Sequence, residues 1–510
     1  MAQEGLTPRA AGRGASGRSR LLALLAPLAL GTAGCGGGEA TVLYVTDAHE
    51  IAPVRDRHGE RGGVARLKTA VDRVRRERPG ALLVFGGDLA GGTLFGVFRG
   101  EPMVDALGRA GVGLATFGQH DFDFGAAHAR ALVARAAFPY LTSNLVDAKG
   151  APFAGLPTRR LVTLSGLRVG FLGLTDALET TAQEGTVVQA DLVASARREA
   201  SALRRDGAEA IVALTQADRE VNERLLREVA LLDAVLTEEE SETLSTVRFV
   251  SGRPIAAPCG NIGSVVELAL SGRRGAICAS VTAHPVDATV SPDADLAAEE
   301  RRWMAVLEEK LSAPIGRLAG TLEADGSRER ETPLGRLVAD AYREATRADA
   351  ALVAGSSLRA DLPAGALVKR HAVAVLPFGN RVVLLELTGA ALRATLERGL
   401  GVSHRSSISL LQVSGLTYLA DLAAPAGKRL LDAKVSGAPL RDGGLYRVAT
   451  SSHLASGGDG FAELASARRL DVAGGAPVDA DAFAAHISRL AAQGPVSPPE
   501  AGRILLRSPG

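Results

Sequence analysis

The sequence predicts an α/β fold arranged as two domains, and three observations carry that prediction. Its 510 residues, 46% of them hydrophobic, suffice for two sizeable cores and exceed what one domain usually holds. Between Thr41 and about Val250, short β-branched and apolar runs alternate with amphipathic stretches, the pattern of a layered α/β domain. After a charged stretch from Asp293 to Leu311, bounded by Pro292 and Pro314, a second α/β pattern begins at about Gly320. The expected division is a processed segment and linker at 1–40, a first domain at 41–290, a connector helix at 291–319 and a second domain at 320–510.

The elements follow in order. Arg9, Arg13, Arg18 and Arg20 precede the apolar run Leu21 to Leu30, and Thr32-Ala33-Gly34-Cys35 comes next, the arrangement of a bacterial export signal. Cys35, trailed by Gly36-Gly37-Gly38, resembles a lipoprotein processing site in which the cysteine becomes the lipid-bearing first residue, although Thr32 stands where Leu is usual. The apolar run is shorter than the roughly 20 residues a membrane span needs. The expectation is a periplasmic or outer-membrane-attached lipoprotein that touches the membrane only through that lipid. A net charge of +1 gives no field to gather nucleic acid, so small molecules are the expected partners.

Runs ending at Val45, Phe85, Phe117, Leu174, Leu214 and Leu236 read as strands. Val64, Leu67, Val71 and Val74 lie on one helical face, stopped by Pro79-Gly80. The stretch from Ser251 to Val290 reads as further strands, Asp293 to Leu311 as one helix, and Leu334 to Ala345 as a helix with Leu334, Leu337, Val338, Ala341 and Tyr342 on one side. Cys259 and Cys278 are nineteen positions apart; in an oxidising compartment they either pair or remain two buried thiols.

In open α/β sheets chemistry gathers beyond the carboxyl ends of strands. Here those ends carry Asp47 and His49, then Asp88, then His120 and Asp121. Carboxylates gathered at one edge repel one another unless a cation sits among them. Gly86-Gly87-Asp88-Leu89-Ala90-Gly91-Gly92-Thr93 and Gly118-Gln119-His120-Asp121-Phe122-Asp123-Phe124-Gly125 resemble the motifs of the calcineurin-like metallophosphoesterases, in their 5'-nucleotidase branch. The resemblance runs from about Thr41 to Leu464. It implies a four-layer α/β sandwich followed by an α/β nucleotide-binding domain. It also implies two divalent ions that share Asp88 and activate water for in-line attack on phosphorus. Asp47 and His49 would hold the first ion, and His120, oriented by Asp121, would stabilise the transferring phosphoryl group or protonate the leaving oxygen.

Three departures bear on that implied metal centre. Gln119 replaces an asparagine ligand, Gln216 follows Thr215 where a histidine is expected, and Glu239 and Ser241 occupy the last ligand positions within Thr237-Glu238-Glu239-Glu240-Ser241. Gln119, Gln216 and Glu239 are all oxygen donors, so a retuned site would favour Mg, Mn or Ca over Zn, with one or two ions. The alternative is a metal-poor remnant in which Glu238 to Glu240 cap a helix.

The second half departs less from the family. Arg328 opens the stretch Arg328-Glu329-Arg330-Glu331-Thr332-Pro333-Leu334-Gly335, and Arg359 closes the glycine-rich loop Gly355-Ser356-Ser357-Leu358-Arg359; the resemblance implies that both contact substrate, Arg359 through its planar fork. An asparagine expected at Ala354 is absent. Pro377-Phe378-Gly379-Asn380 and Ser456-Gly457-Gly458-Asp459-Gly460-Phe461 match outright, implying a base stacked between Phe378 and Phe461 and read at its edge by Asn380. The expected function is hydrolysis of nucleoside 5'-monophosphates or related esters by an exported metal-dependent enzyme. The alternative is a lipoprotein that binds nucleotides or nucleosides without turnover.

Overall fold

The computed structural model describes residues 37–56, 59–91, 93–176, 187–401, 409–473 and 475–507. The expected export segment and the expected lipidation position, Cys35, lie outside them.

Strand Gly38–Val45 holds the middle of a five-stranded sheet, antiparallel to Ser264–Arg273 and parallel to Leu82–Phe85; Ala276–Pro285 and Val112–Ala115 form its two edges. The strand is apolar on both faces because both are covered. Leu43 and Val45 join a core with Val64, Leu67, Val71 and Val74 of helix Val64–Glu77, while Val42 and Tyr44 face a second sheet. That second sheet has six strands, ordered Thr246–Val250, Arg253–Ala257, Ala234–Thr237, Ala210–Gln216, Leu167–Thr175, Arg160–Leu164. Phe171, Val212, Leu214 and Leu236 meet the first sheet, and Leu172, Ile211, Ala213 and Val235 meet helices Leu192–Arg205 and Arg219–Glu228. The result is helix, sheet, sheet, helix: four layers with two parallel strand sets ending at one edge.

Helix Ala294–Leu311 starts at Asp293, whose carboxylate accepts from Leu296 N at 3.0 Å. Beyond it, a five-stranded sheet runs Leu411–Ser414, Ala350–Ala354, Leu445–Ser451, Val382–Thr388, Arg468–Leu470. Helices Pro333–Thr346 and Asp479–Ala491 cover one face and Gly389–Gly399 the other. Among the described residues no helix is long and apolar enough to cross a membrane.

Four expected strand ends shift by one or two residues: Phe117 becomes Ala115, Leu174 becomes Thr175, Leu214 becomes Gln216, Leu236 becomes Thr237. Two further corrections have physical reasons. Glu238 to Glu240 cap no helix, because the next element is strand Thr246–Val250. Cys259 is a free, buried thiol, so it does not pair with Cys278. Cys259 sits in the turn after Arg253–Ala257, its N–H bonded to Ser264 Oγ, whereas Cys278 lies on the edge strand opposite Ser271.

Candidate functional site

The loops after the central strands are held together before any ligand is considered. Asp47 and Asp88 both take left-handed backbone, φ 55 and φ 65, a conformation that costs an ordinary residue energy and gathers at functional sites. Asp47 N donates to Gly87 O at 3.0 Å and Ala48 N to Asp88 O at 2.8 Å, so the two acidic loops run side by side. The third loop joins through Asp121, whose carboxylate accepts from the N–H groups of Asp88, Leu89 and Gly118 at 3.1, 3.1 and 2.9 Å. Asp88 Oδ1 in turn accepts from His120 N at 2.7 Å. Gly118 has to be glycine, since an added Cβ would lie 2.1 Å from Asp88 Oδ1.

Asp121 therefore fastens loops and does not orient His120, which corrects the expected role. The residue that holds His120 is Asp123, Oδ2 to Nδ1 at 2.9 Å. The signal was present in the sequence: three residues along a 3-10 turn are neighbours, and His120–Phe122 forms such a turn.

Asp47, His49 and Glu239 each offer a ligand atom within 4.8 Å of the others. Glu239 is drawn in by its own N–H, which donates to Asp47 Oδ2 at 3.1 Å. The His49 ring lies 5.6 Å from that of His120, edge to face. His49 Nδ1, Glu239 Oε2 and Gln216 Oε1 are all buried without a hydrogen-bond partner. Gln216 Nε2 donates to Thr46 Oγ1 at 2.8 Å, whereas Thr215 turns the other way, to Asn222. Gln119 is half-buried in the third loop, and Ser241 Oγ closes a local turn by accepting from Thr243 N.

The electrostatics are those of an overcrowded acid cluster. Burial, reinforced by neighbouring carboxylates, pushes Glu238 up to about 8 and Glu239 up to about 10; burial also lifts Asp47 to about 6 and Asp88 well above its usual range. Burial and the nearby His120 charge lower His49 to about 3, leaving it a neutral donor. Burial opposes charge on His120 as well, but Asp123, Asp88 and Asp47 outweigh it and hold that imidazolium up at about 10. A divalent cation fits this donor set: Asp47, His49 and Glu239 converge, His49 turns Nε2 toward Asp47 at 3.9 Å, and the ion would pair Glu239 Oε2 and relieve the strain among the acids.

The second candidate cluster lies in the C-terminal half. Arg328 and Arg359 are exposed, on loops in backbone contact: a Cβ on Gly355 would lie 1.9 Å from Ser327 O. The Arg359 guanidinium sits 5.7 Å from the ring centre of Phe378, which is partly exposed. Phe461 does not face that ring. It is 0% exposed, inside a core with Leu392, Leu396, Leu454 and Leu464, because the turn Gly458–Gly460 folds the chain back and drives the ring inward. Asn380 is likewise committed elsewhere, its Oδ1 accepting from Ser452 Oγ and His453 N, both at 3.2 Å. The paired-ring and base-edge expectations are corrected accordingly; Phe378 is the aromatic ring available to a ligand.

The two clusters touch. Gly379, with φ 65, packs so closely on Phe124 that a Cβ would lie 2.9 Å from its ring, and Phe124 directly follows Asp123. The loop that carries Phe378 thus rests against the loop that carries the His120–Asp123 pair.

Comparison with known proteins agrees with this architecture. Residues 314–466 match the family model described as 5'-nucleotidase, C-terminal domain. The chain is 26% identical to a 5'-nucleotidase of Diplobatis ommata, over 98% of this chain and 95% of that protein. Among solved structures, a 5'-nucleotidase precursor from Thermus thermophilus is 25% identical, with a TM-score of 0.70, over 92% of this chain and 99% of that one. A Staphylococcus aureus protein described as a putative 5'-nucleotidase, in complex with alpha-ketoglutarate, shares the fold at 18% identity and a TM-score of 0.74, over 92% and 100% of the two chains.

Proposed function

Because the chain belongs to the 5'-nucleotidase family, and with it to the hydrolases of phosphoric esters, we propose that it removes phosphate from nucleoside 5'-monophosphates or related nucleotide esters with a divalent cation at the strand-edge cluster. The observation that carries the cation is the convergence of Asp47, His49 and Glu239, whose ligand atoms lie within 4.8 Å of one another, with Glu239 Oε2 buried and unpartnered. Asp47, His49, Asp88 and Glu239 would hold the ion, with Gln216 and Gln119 as further oxygen donors and Ser241 at the margin. One imidazole among so many oxygens favours Mg, Mn or Ca over Zn. Such an ion supplies charge stabilisation at phosphorus and lowers the pKa of water.

The chain's own residues do the rest. His120, held by Asp123 and fixed at its backbone by Asp88, donates to the phosphoryl oxygens or to the departing ester oxygen. Asp121 keeps the three loops in register. Arg328 and Arg359 bind oxyanions of the substrate, Phe378 stacks the base, and Phe124 sets the distance between that loop and His120. Export and lipidation at Cys35 are part of the same proposal, supported by the basic, apolar and small-residue succession at the N-terminus.

The test is metal content and hydrolysis of adenosine 5'-monophosphate with Mn, Mg, Ca or Zn, beside Asp88→Asn. Turnover well above that variant is expected. Turnover equal to that of the variant under every metal, with adenosine still bound, would leave a binding protein in place of an enzyme.

A further inference from the structure

The proposed reaction gives Arg99 no task, yet the fold constrains it closely. It ends the short helix Leu94–Phe98 in left-handed backbone, φ 53 and ψ 35, a conformation that an ordinary residue keeps only where its surroundings hold it. Its N–H donates to Gly96 O at 2.8 Å, and its carbonyl accepts from His128 Nε2 at 2.7 Å. Its guanidinium is exposed and has no ion-pair partner among the described residues; it lies over the Phe124 ring, 5.2 Å from the ring centre. The His128 ring meets the same phenyl edge to face, at 5.6 Å.

We propose that Arg99 is a specificity-determining residue: with His128 it braces Phe124 against Gly379, and so sets the span between the base-stacking ring of Phe378 and the His120–Asp123 pair. The brace is a closed circuit, from Arg99 carbonyl to His128, from His128 to Phe124, and from Phe124 back to the Arg99 guanidinium. The free edge of the phenyl meets the other half of the chain, where a Cβ on Gly379 would lie 2.9 Å from Cε1 and 3.4 Å from Cζ. Phe378, beneath Arg359, is the residue before Gly379. On the near side Phe124 follows Asp123, whose carboxylate holds His120 Nδ1 at 2.9 Å. A nucleoside monophosphate has to reach both ends at once, its base on Phe378 and its phosphorus at His120, so its turnover depends on that span. A phosphate ester without a base needs the metal edge alone. Misplacement by about 1 Å costs roughly 100-fold in rate, and only the base-bearing ester feels it.

This inference rests on the nucleotidase reading above, and the experiment separates the two. With whichever of Mn, Mg, Ca or Zn supports turnover, kcat/KM is measured on the full chain for adenosine 5'-monophosphate and for ribose 5-phosphate, which has no base. The proteins are native, Arg99→Gly and Arg99→Lys. Glycine accepts the left-handed backbone and keeps the carbonyl that His128 binds, so it removes the side chain alone; lysine keeps a cation for the ring. Hydrogen exchange without substrate follows two pairs of bonded amides, Asp123 and Gly125 on one loop, Arg381 and Val382 on the other. Expected in Arg99→Gly is a nucleotide-to-ribose-phosphate ratio of kcat/KM lowered about tenfold or more, with faster exchange at both loops. Arg99→Lys should stay near native in both. A native ratio in Arg99→Gly overturns the inference, and so does an equal loss on both esters, which would trace the effect to the metal edge. Faster exchange confined to Asp123 and Gly125 overturns it too, because the brace would then end at Phe124. A native chain that hydrolyses neither ester overturns the nucleotidase reading, and exchange at Arg381 and Val382 then decides the brace by itself.

Discussion

Phe461→Ala and Phe378→Ala should separate cleanly, although the two phenylalanines sit in motifs that look alike. Phe461 is fully buried among leucines, so its truncation removes a large ring from a packed core and leaves a cavity, at about 3–5 kcal/mol. Phe378 is partly exposed beneath Arg359, and its truncation should cost little stability. What it removes is base stacking, about 1–3 kcal/mol, which weakens nucleotide binding roughly 5- to 150-fold. Urea unfolding followed by circular dichroism, paired with equilibrium binding of adenosine 5'-monophosphate, measures both quantities on each variant. A Phe461→Ala protein with an unchanged urea midpoint and no nucleotide affinity would refute the reasoning, because the ring would then be a ligand surface and not core.

Gly118→Ala should abolish metal binding and turnover together while the fold survives, since its Cβ would lie 2.1 Å from Asp88 Oδ1; dialysis and a nucleotidase assay check it. Asp479, in the first turn of helix Asp479–Ala491, is lifted by burial from 3.8 to about 8, against the pull of the Ala480 N–H and the Tyr342 hydroxyl. Its folded pKa lies above the unfolded one, so its contribution to stability is complete below about pH 4 and lost as pH rises through about 8, roughly 5 kcal/mol in all. The helix N-terminus offsets about 0.3–2 kcal/mol of that at most. Asp479→Asn should therefore flatten the decline of urea midpoint between about pH 4 and pH 8, and a native slope retained in the variant would exclude this group.

The layered fold was legible because both kinds of period were strong. The apolar face Val64, Leu67, Val71, Val74 ends at Pro79-Gly80, and the helix stops at Glu77. Asp47, His49, Asp88, His120 and Asp121 were legible as one edge because each follows a parallel strand. Their division of labour was not. Asp121 and Asp123 flank the same phenylalanine, and only the turn geometry sends one to three backbone N–H groups and the other to His120 Nδ1. Phe461 was misjudged because a glycine-rich turn says that the chain reverses and not which way the next ring points; the spacing Leu454, Phe461, Leu464 marked it as core. Cys259 and Cys278 had suitable spacing in sequence, but register placed one in a turn and the other on an edge.

The choice between a retuned and a relic metal edge turns on what the folded chain has to carry. Leaving Glu239 Oε2 and Gln216 Oε1 buried and unpaired costs about 1–3 kcal/mol each against a total stability of about 5–15. Burying Asp47, Asp88, Glu238 and Glu239 together raises all four pKa values, against the pull of His120 on Asp47, Asp88 and Glu238, so without a cation the cluster takes up protons instead of staying ionised. The convergence of Asp47, His49 and Glu239 favours the proposed ion over a relic, and carboxamide and carboxylate in place of imidazole would change which ion such a site prefers.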